Sequence, residues 1–218
     1  MKRFWLILAT VLGLAATSVP ASADLVYTLA VDSDFSTGHN FGTVTLHQNV
    51  GNTTSVMVTV QLNTTIAGMG FSNTSAGYAI AWDLNGGVPD LIAVNAATPN
   101  SGLFSVATTS GSYLGDYKAS PFTSGSNGNG FNYAIDYSGA TNAGNNLLIF
   151  DVTRSAGLAL SDFIGNPNYR FAVDIITTAG STRNVAVRVP EPRTWALFFA
   201  GLFGLTVLRR RRKLVRAV

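Results

Sequence analysis

The stretch Val56-Met57-Val58-Thr59-Val60-Gln61-Leu62 puts an apolar side chain at every second position, with Met57, Thr59 and Gln61 between them. A period of two belongs to a strand with one face in a core and one in water, because successive side chains of an extended chain point to opposite sides. The pattern recurs on both sides of this stretch. Leu25, Tyr27, Leu29 and Val31 alternate with Val26, Thr28, Ala30 and Asp32, and Val44 and Leu46 alternate with Thr43, Thr45 and His47. Similar runs occupy 78–82, 131–135, 169–175 and 185–189. Leu147-Leu148-Ile149-Phe150-Asp151-Val152 is apolar on both sides and reads as a central strand. Turn-forming clusters separate these runs, among them Val50-Gly51-Asn52, Asn85-Gly86-Gly87 and 125–130. Helical spacing occurs only at 158–164, barely two turns. The expected fold is all-β: a single antiparallel, jelly-roll-like β-sandwich of about eight to ten strands.

Composition supports a rigid, weakly charged module in this central part. Charged residues make up 11% of the 218-residue chain. The core must therefore come from strand faces rather than from long charged amphipathic helices. Nine Phe, seven Tyr and Trp82 lie between Asp24 and Arg188, enough large rings to fill the gap between two sheets. There is no cysteine, which excludes a disulfide framework and thiolate metal sites. The formal charge of +3 is unevenly spread. Between Asp24 and Val189, five Lys or Arg face ten Asp, a balance of −5, while nine cations sit at the two ends. A body that binds nucleic acid needs the opposite sign, so no nucleic-acid partner is expected.

The ends read as addresses. Lys2 and Arg3 precede a short apolar run from Phe4 to Ala16, Pro20 breaks it, and Ala21-Ser22-Ala23 follows. A positive start, a short hydrophobic helix and a small-x-small site describe a secretory signal peptide over 1–23. Ala21 and Ala23 are the small cleavage-site residues, and the mature chain is expected to begin at Asp24. This implies passage through a secretion translocon and cutting by signal peptidase. At the other end, Pro190 and Pro192 hold Val189-Pro190-Glu191-Pro192 as an extended strip. An uncharged run over 195–208 follows, then Arg209, Arg210, Arg211, Arg212 and Lys213. As a helix the run spans about 21 Å, short against a hydrocarbon core of about 30 Å. The cations fix the tail on the cytoplasmic side. The expected division is a signal helix over 1–23, a β-sandwich body over 24–188 and a proline strip with a transmembrane helix and basic cluster over 189–218.

Pro190-Glu191-Pro192, a short apolar helix and a terminal Arg cluster, in that order, resemble the PEP-CTERM sorting signal of exported proteins in Gram-negative, exopolysaccharide-producing bacteria. The resemblance implies a transient inner-membrane anchor that an exosortase recognises and processes, with delivery to the cell surface or extracellular matrix and association with exopolysaccharide or biofilm. The body has the look of other PEP-CTERM bodies at Phe41-Gly42-Thr43-Val44-Thr45-Leu46 and Leu148-Ile149-Phe150-Asp151-Val152-Thr153.

No catalytic constellation stands out in the body. The two histidines, His39 in a turn and His47 on the polar side of a strand, read as surface residues, although a hairpin would let them meet. There is no Gly-x-Ser-x-Gly elbow. Asp32, Asp34, Asp83, Asp90 and Asp116 sit where turns use carboxylates locally. The oxygen-rich loops Asp32-Ser33-Asp34 and 83–90 lack EF-hand spacing. Gly125 to Gly130 lacks the Lys-Ser/Thr ending of a phosphate loop. The sequons at Asn52, Asn63 and Asn73 are chance matches in an Asn/Thr-rich chain. The expectation is a non-enzymatic exported surface or matrix protein without metal or cofactor. The alternative is a secreted carbohydrate-binding module on the same sandwich, with Tyr113, Tyr117, Tyr133 and Tyr137 as stacking rings.

Overall fold

The computed structural model describes residues 24–32, 39–48, 51–72, 78–108, 111–112, 115, 117, 130–139, 145–164, 169–177 and 182–188. The expected signal segment with Ala21 and Ala23, the expected sorting motif Pro190, Glu191 and Pro192, the 195–208 run and the basic cluster Arg209 to Lys213 lie outside the described residues. Among the described residues no helix is long and apolar enough to cross a membrane.

The described chain is all-β. Twelve strands form two antiparallel sheets: β1 (Leu25–Thr28), β2 (Val31–Asp32), β3 (Gly42–His47), β4 (Ser55–Leu62), β5 (Gly70–Phe71), β6 (Tyr78–Trp82), β7 (Leu91–Val94), β8 (Phe104–Val106), β9 (Tyr133–Tyr137), β10 (Leu147–Thr153), β11 (Tyr169–Ile176) and β12 (Thr182–Arg188). A five-stranded sheet runs β1-β3-β4-β10-β7, and a seven-stranded sheet runs β2-β12-β11-β6-β9-β8, with β5 beside β11. The number exceeds the eight to ten expected because β2 and β5 are two-residue strands, too short to carry a period. The run 25–32 divides for a topological reason. Leu29 N–H donates to Gly42 O at 2.9 Å within the five-stranded sheet, and Ala30 N–H donates to Ala186 O at 3.2 Å in the other. One alternating segment thus serves both sheets.

The core lies between the sheets, where the alternation places it. Val44 and Leu46, Val56 to Leu62 at every second position, and Leu148, Phe150 and Val152 face Phe71, Ile80, Trp82, Tyr133, Phe171, Val173 and Val185. Trp82 stacks on Phe150 at 4.9 Å between ring centroids, tying the middle of one sheet to the other. Full burial of such rings contributes on the order of 1.5–3 kcal/mol each.

Two expectations are corrected. Strand β10 has one buried face only: Leu147, Ile149, Asp151 and Thr153 are half-exposed. Buried residues on both faces occur instead in β6, β9, β11 and β12. The segment 158–164 forms a single 3₁₀ turn at Leu160–Asp162 rather than two helical turns. Here Asp162 Oδ2 accepts from Ala159 N–H at 3.0 Å and from Arg154, which holds the turn tight.

A second cluster covers the outer face of the seven-stranded sheet. Register places Val31, Ala186, Ala172, Ala81 and Ala134 in one row across β2, β12, β11, β6 and β9. Tyr117, Phe131 and Tyr169 pack with this alanine row. Tyr117 and Phe131 exchange both backbone hydrogen bonds at 2.8 Å, so one antiparallel bridge joins these two covering residues.

Candidate functional site

Three of the four candidate stacking tyrosines are core residues. Tyr133 and Tyr137 face the inter-sheet core, and Tyr117 lies in the outer cluster, all three buried. Tyr137 Oη accepts from Asn145 Nδ2 at 2.6 Å, so its polar end is used inside the fold. Burial and the nearby Asp83 carboxylate push the Tyr133 phenol up from its ordinary value. These three rings offer no stacking face to solvent. Tyr113 lies outside the described residues.

The histidines do not meet. His39 precedes β3 and His47 ends it, so a six-residue strand of about 20 Å separates them. His47 Nδ1 instead pairs with Asp24 Oδ1 at 2.5 Å, at the start of β1. Among the described residues no three His, Cys, Asp or Glu side chains are grouped to hold a metal.

The 83–90 loop is built from inside the protein. Asp83 is buried and its Oδ1 accepts from Asn132 N–H at 2.6 Å. Burial raises its carboxyl above the usual range, against the lowering effect of that hydrogen bond. Asp90 is exposed, and its Oδ2 accepts from Ser155 N–H at 2.5 Å. That bond holds its carboxyl below the usual range. The two acids therefore serve separate structural roles. Between them runs Arg154, buried and fully engaged. Its Nε donates to Gly157 O at 2.5 Å, Nη1 donates to Asn85 O at 2.6 Å, and Nη2 pairs with Asp162 Oδ2. Gly86 sits at a φ of 83°, and a Cβ there would approach Arg154 Nη1 to 3.2 Å. The loop is thus a turn wrapped around a cation. Asp32 is the second residue of β2, and Asp34 lies outside the described residues.

An open depression of about 380 Å³ lies where the paired ends of β3 and β4 meet their flanking turns. It is lined by Asn40, Gly42, Thr43, Gln61, Leu62, Asn63 and Thr64, without a charged or aromatic side chain. Gly42 stands opposite Leu62 at a φ of 142°, and a Cβ there would fall 2.3 Å from Gln61 O. Only glycine permits this close backbone approach. The amides around it are fixed in direction. Asn40 Oδ1 accepts from Gly42 N–H at 3.0 Å, and Asn63 Nδ2 donates to Asn40 O at 2.7 Å. Gln61 Nε2 donates to Leu62 O at 3.0 Å and Asn146 O at 3.1 Å.

No protein-family model, curated protein or solved structure matches the chain. The site therefore rests on its own geometry. In the sequence Thr43, Gln61 and Leu62 read as strand residues and Asn63-Thr64-Thr65 as a sequon, and none of them as a site residue. Their meeting depends on the β3–β4 register, in which Thr43 stands opposite Gln61. Two uncharged polar clusters bracketing adjacent strands were the available signal.

Proposed function

We propose that the chain is an exported, non-enzymatic surface or extracellular-matrix protein, delivered by a C-terminal sorting signal. The observation that carries this reading is the order of three parts in the sequence: Pro190-Glu191-Pro192, the uncharged run over 195–208, and five consecutive cations from Arg209 to Lys213. A plain anchor needs the apolar helix and the cations but not the proline strip. The run is also shorter than a comfortable bilayer crossing. The partners of this route are the secretion translocon, signal peptidase and an exosortase at the inner membrane. Delivery to the surface or matrix brings the body beside exopolysaccharide. The body fits a jelly-roll-like sandwich, since its chain passes repeatedly between the two sheets. An experimental structure with one closed barrel would contradict that topology.

The test of sorting is deletion of 189–218 followed by fractionation. The full chain is expected outside the inner membrane with its tail processed, and the truncated chain is expected in another fraction. Identical destinations and unprocessed mass for the full chain would overturn the reading.

A second reading, a carbohydrate-binding module on the same body, is favoured by the neutral, polar depression between β3 and β4. It does not rest on the buried tyrosines.

A further inference from the structure

We infer that the depression between the paired ends of β3 and β4 is a binding site for a neutral polyhydroxyl ligand, a segment of uncharged glycan. The inference deepens the carbohydrate-binding reading by giving it a site, and it is independent of how the protein is sorted. Its argument is a matching of hydrogen-bond groups. Asn40 spends Oδ1 on Gly42 N–H, which fixes the amide and leaves Nδ2 as a donor. Gln61 spends Nε2 on two backbone carbonyls, which leaves Oε1 as an acceptor. Thr43 and Thr64 add hydroxyls that both donate and accept. Among the described residues these four groups have no protein partner.

A sugar hydroxyl also donates once and accepts, so a pair of neighbouring hydroxyls suits a fixed donor beside a fixed acceptor. Because the backbone already holds both amides, little orientational freedom is lost when a ligand arrives. The absence of charge sets the ligand class. An anionic or cationic group seated here loses water and gains no opposite charge. The site also opens onto a continuation of its own chemistry. Register places exposed Thr28 opposite Thr43, and Thr45 opposite Thr59, on the outward face of the same sheet. A chain of sugars leaving the depression thus meets further hydroxyls. Without an aromatic platform, each contact is weak and binding depends on polymer length.

The test is affinity electrophoresis of the exported chain, as purified from its producing cell, in gels holding dextran, hydroxyethyl cellulose or galactomannan. Gels with alginate and gels without polymer are the references. Retardation by at least one neutral polymer and none by alginate is expected. Thr43→Val keeps the β-branched shape and strand preference while removing the hydroxyl. Thr64→Val does the same on the exposed turn, where folding is not at stake. Each should weaken retardation about fivefold, the effect of one lost hydrogen bond. Thr153→Val, at the other end of the sheet, should leave it unchanged. No retardation by any neutral polymer, or equal retardation by alginate, overturns the ligand class and the carbohydrate-binding reading with it. Retardation that survives both Thr43→Val and Thr64→Val keeps that reading and overturns this site.

Discussion

The outward face of the five-stranded sheet carries Thr43, Thr45, Met57, Thr59, Gln61 and Ile149, all half-exposed, whereas the outward row of the seven-stranded sheet carries Val31, Ala81, Ala134, Ala172 and Ala186, all buried. Both sheets give their other face to one core. The difference lies in what each sheet presents outward. A face that meets water needs side chains that are comfortable half wet, and threonine supplies a hydroxyl on a strand-favouring scaffold. A face covered by another layer of chain needs small side chains so that the layer can approach, and alanine supplies that. Tyr117 and Phe131, packed on the alanine row, fill the space the small residues leave.

Breaking the shared core should have the largest effect. Phe150→Ala removes the ring stacked on Trp82 in the middle of the inner faces. A loss of about 3–5 kcal/mol is expected from urea unfolding of the purified protein. A loss under 1 kcal/mol would mean that the sheets do not share that layer.

Next is Arg154, the cation that links β10 to the 83–90 loop. Arg154→Met keeps much of the length and strands Asp162 together with two carbonyls. Since the Asp162 side chain is 22% exposed, the loss should lie at the low end for a broken buried pair, about 3 kcal/mol. Protease nicking within 83–90 should appear at the same time. Unchanged stability and no nicking would show that the loop holds itself.

The two outward faces can be compared directly. Ala172→Leu places a large side chain between Ala81 and Ala186 and should destabilise by about 1–3 kcal/mol. Thr59→Val on the wet face should change stability by no more than about 0.5 kcal/mol. Equal effects from thermal melts would erase the distinction between a covered and a solvated face.

A smaller effect concerns pH. Burial raises the carboxyls of Asp83 and Asp136. The folded protein therefore takes up these protons at a higher pH than the unfolded chain does. Their ionisation disfavours folding, so their contribution to stability rises as pH falls from neutral through the raised folded values and levels off below about 4, the unfolded value. Asp90 acts in the opposite sense, because its lowered carboxyl contributes stability that is lost at more acid pH. The double variant Asp83→Asn with Asp136→Asn should flatten the gain in melting temperature between neutral pH and about pH 4.5. An unchanged slope would remove burial of these two groups as its source.

The same contrast explains what could be read from the sequence. Strand β4 was legible because one wet face and one dry face alternate without exception, and β6 and β11 were found close to their observed bounds. Their second buried face was not seen, because alanine barely registers as apolar. The reverse error occurred in β10. Leu147 and Ile149 sit on the wet face but look like core residues, so the strand read as buried on both sides. Strands β5, β7 and β8 have two to four residues each, fewer than a period-two pattern needs to stand out. The depression required register, which no single stretch of sequence contains. The sorting proposal needs no register, because the proline strip, the uncharged run and the cations follow one another directly in the sequence.

The central claim, export followed by removal of a C-terminal sorting tail, is tested most directly by intact-mass analysis of the protein recovered from the surface, matrix and inner-membrane fractions of its producing cell. The predicted result is a chain that begins at Asp24 and lacks the apolar run over 195–208 with its basic cluster. A mature form that retains residues 195–218 and stays in the inner membrane would contradict it.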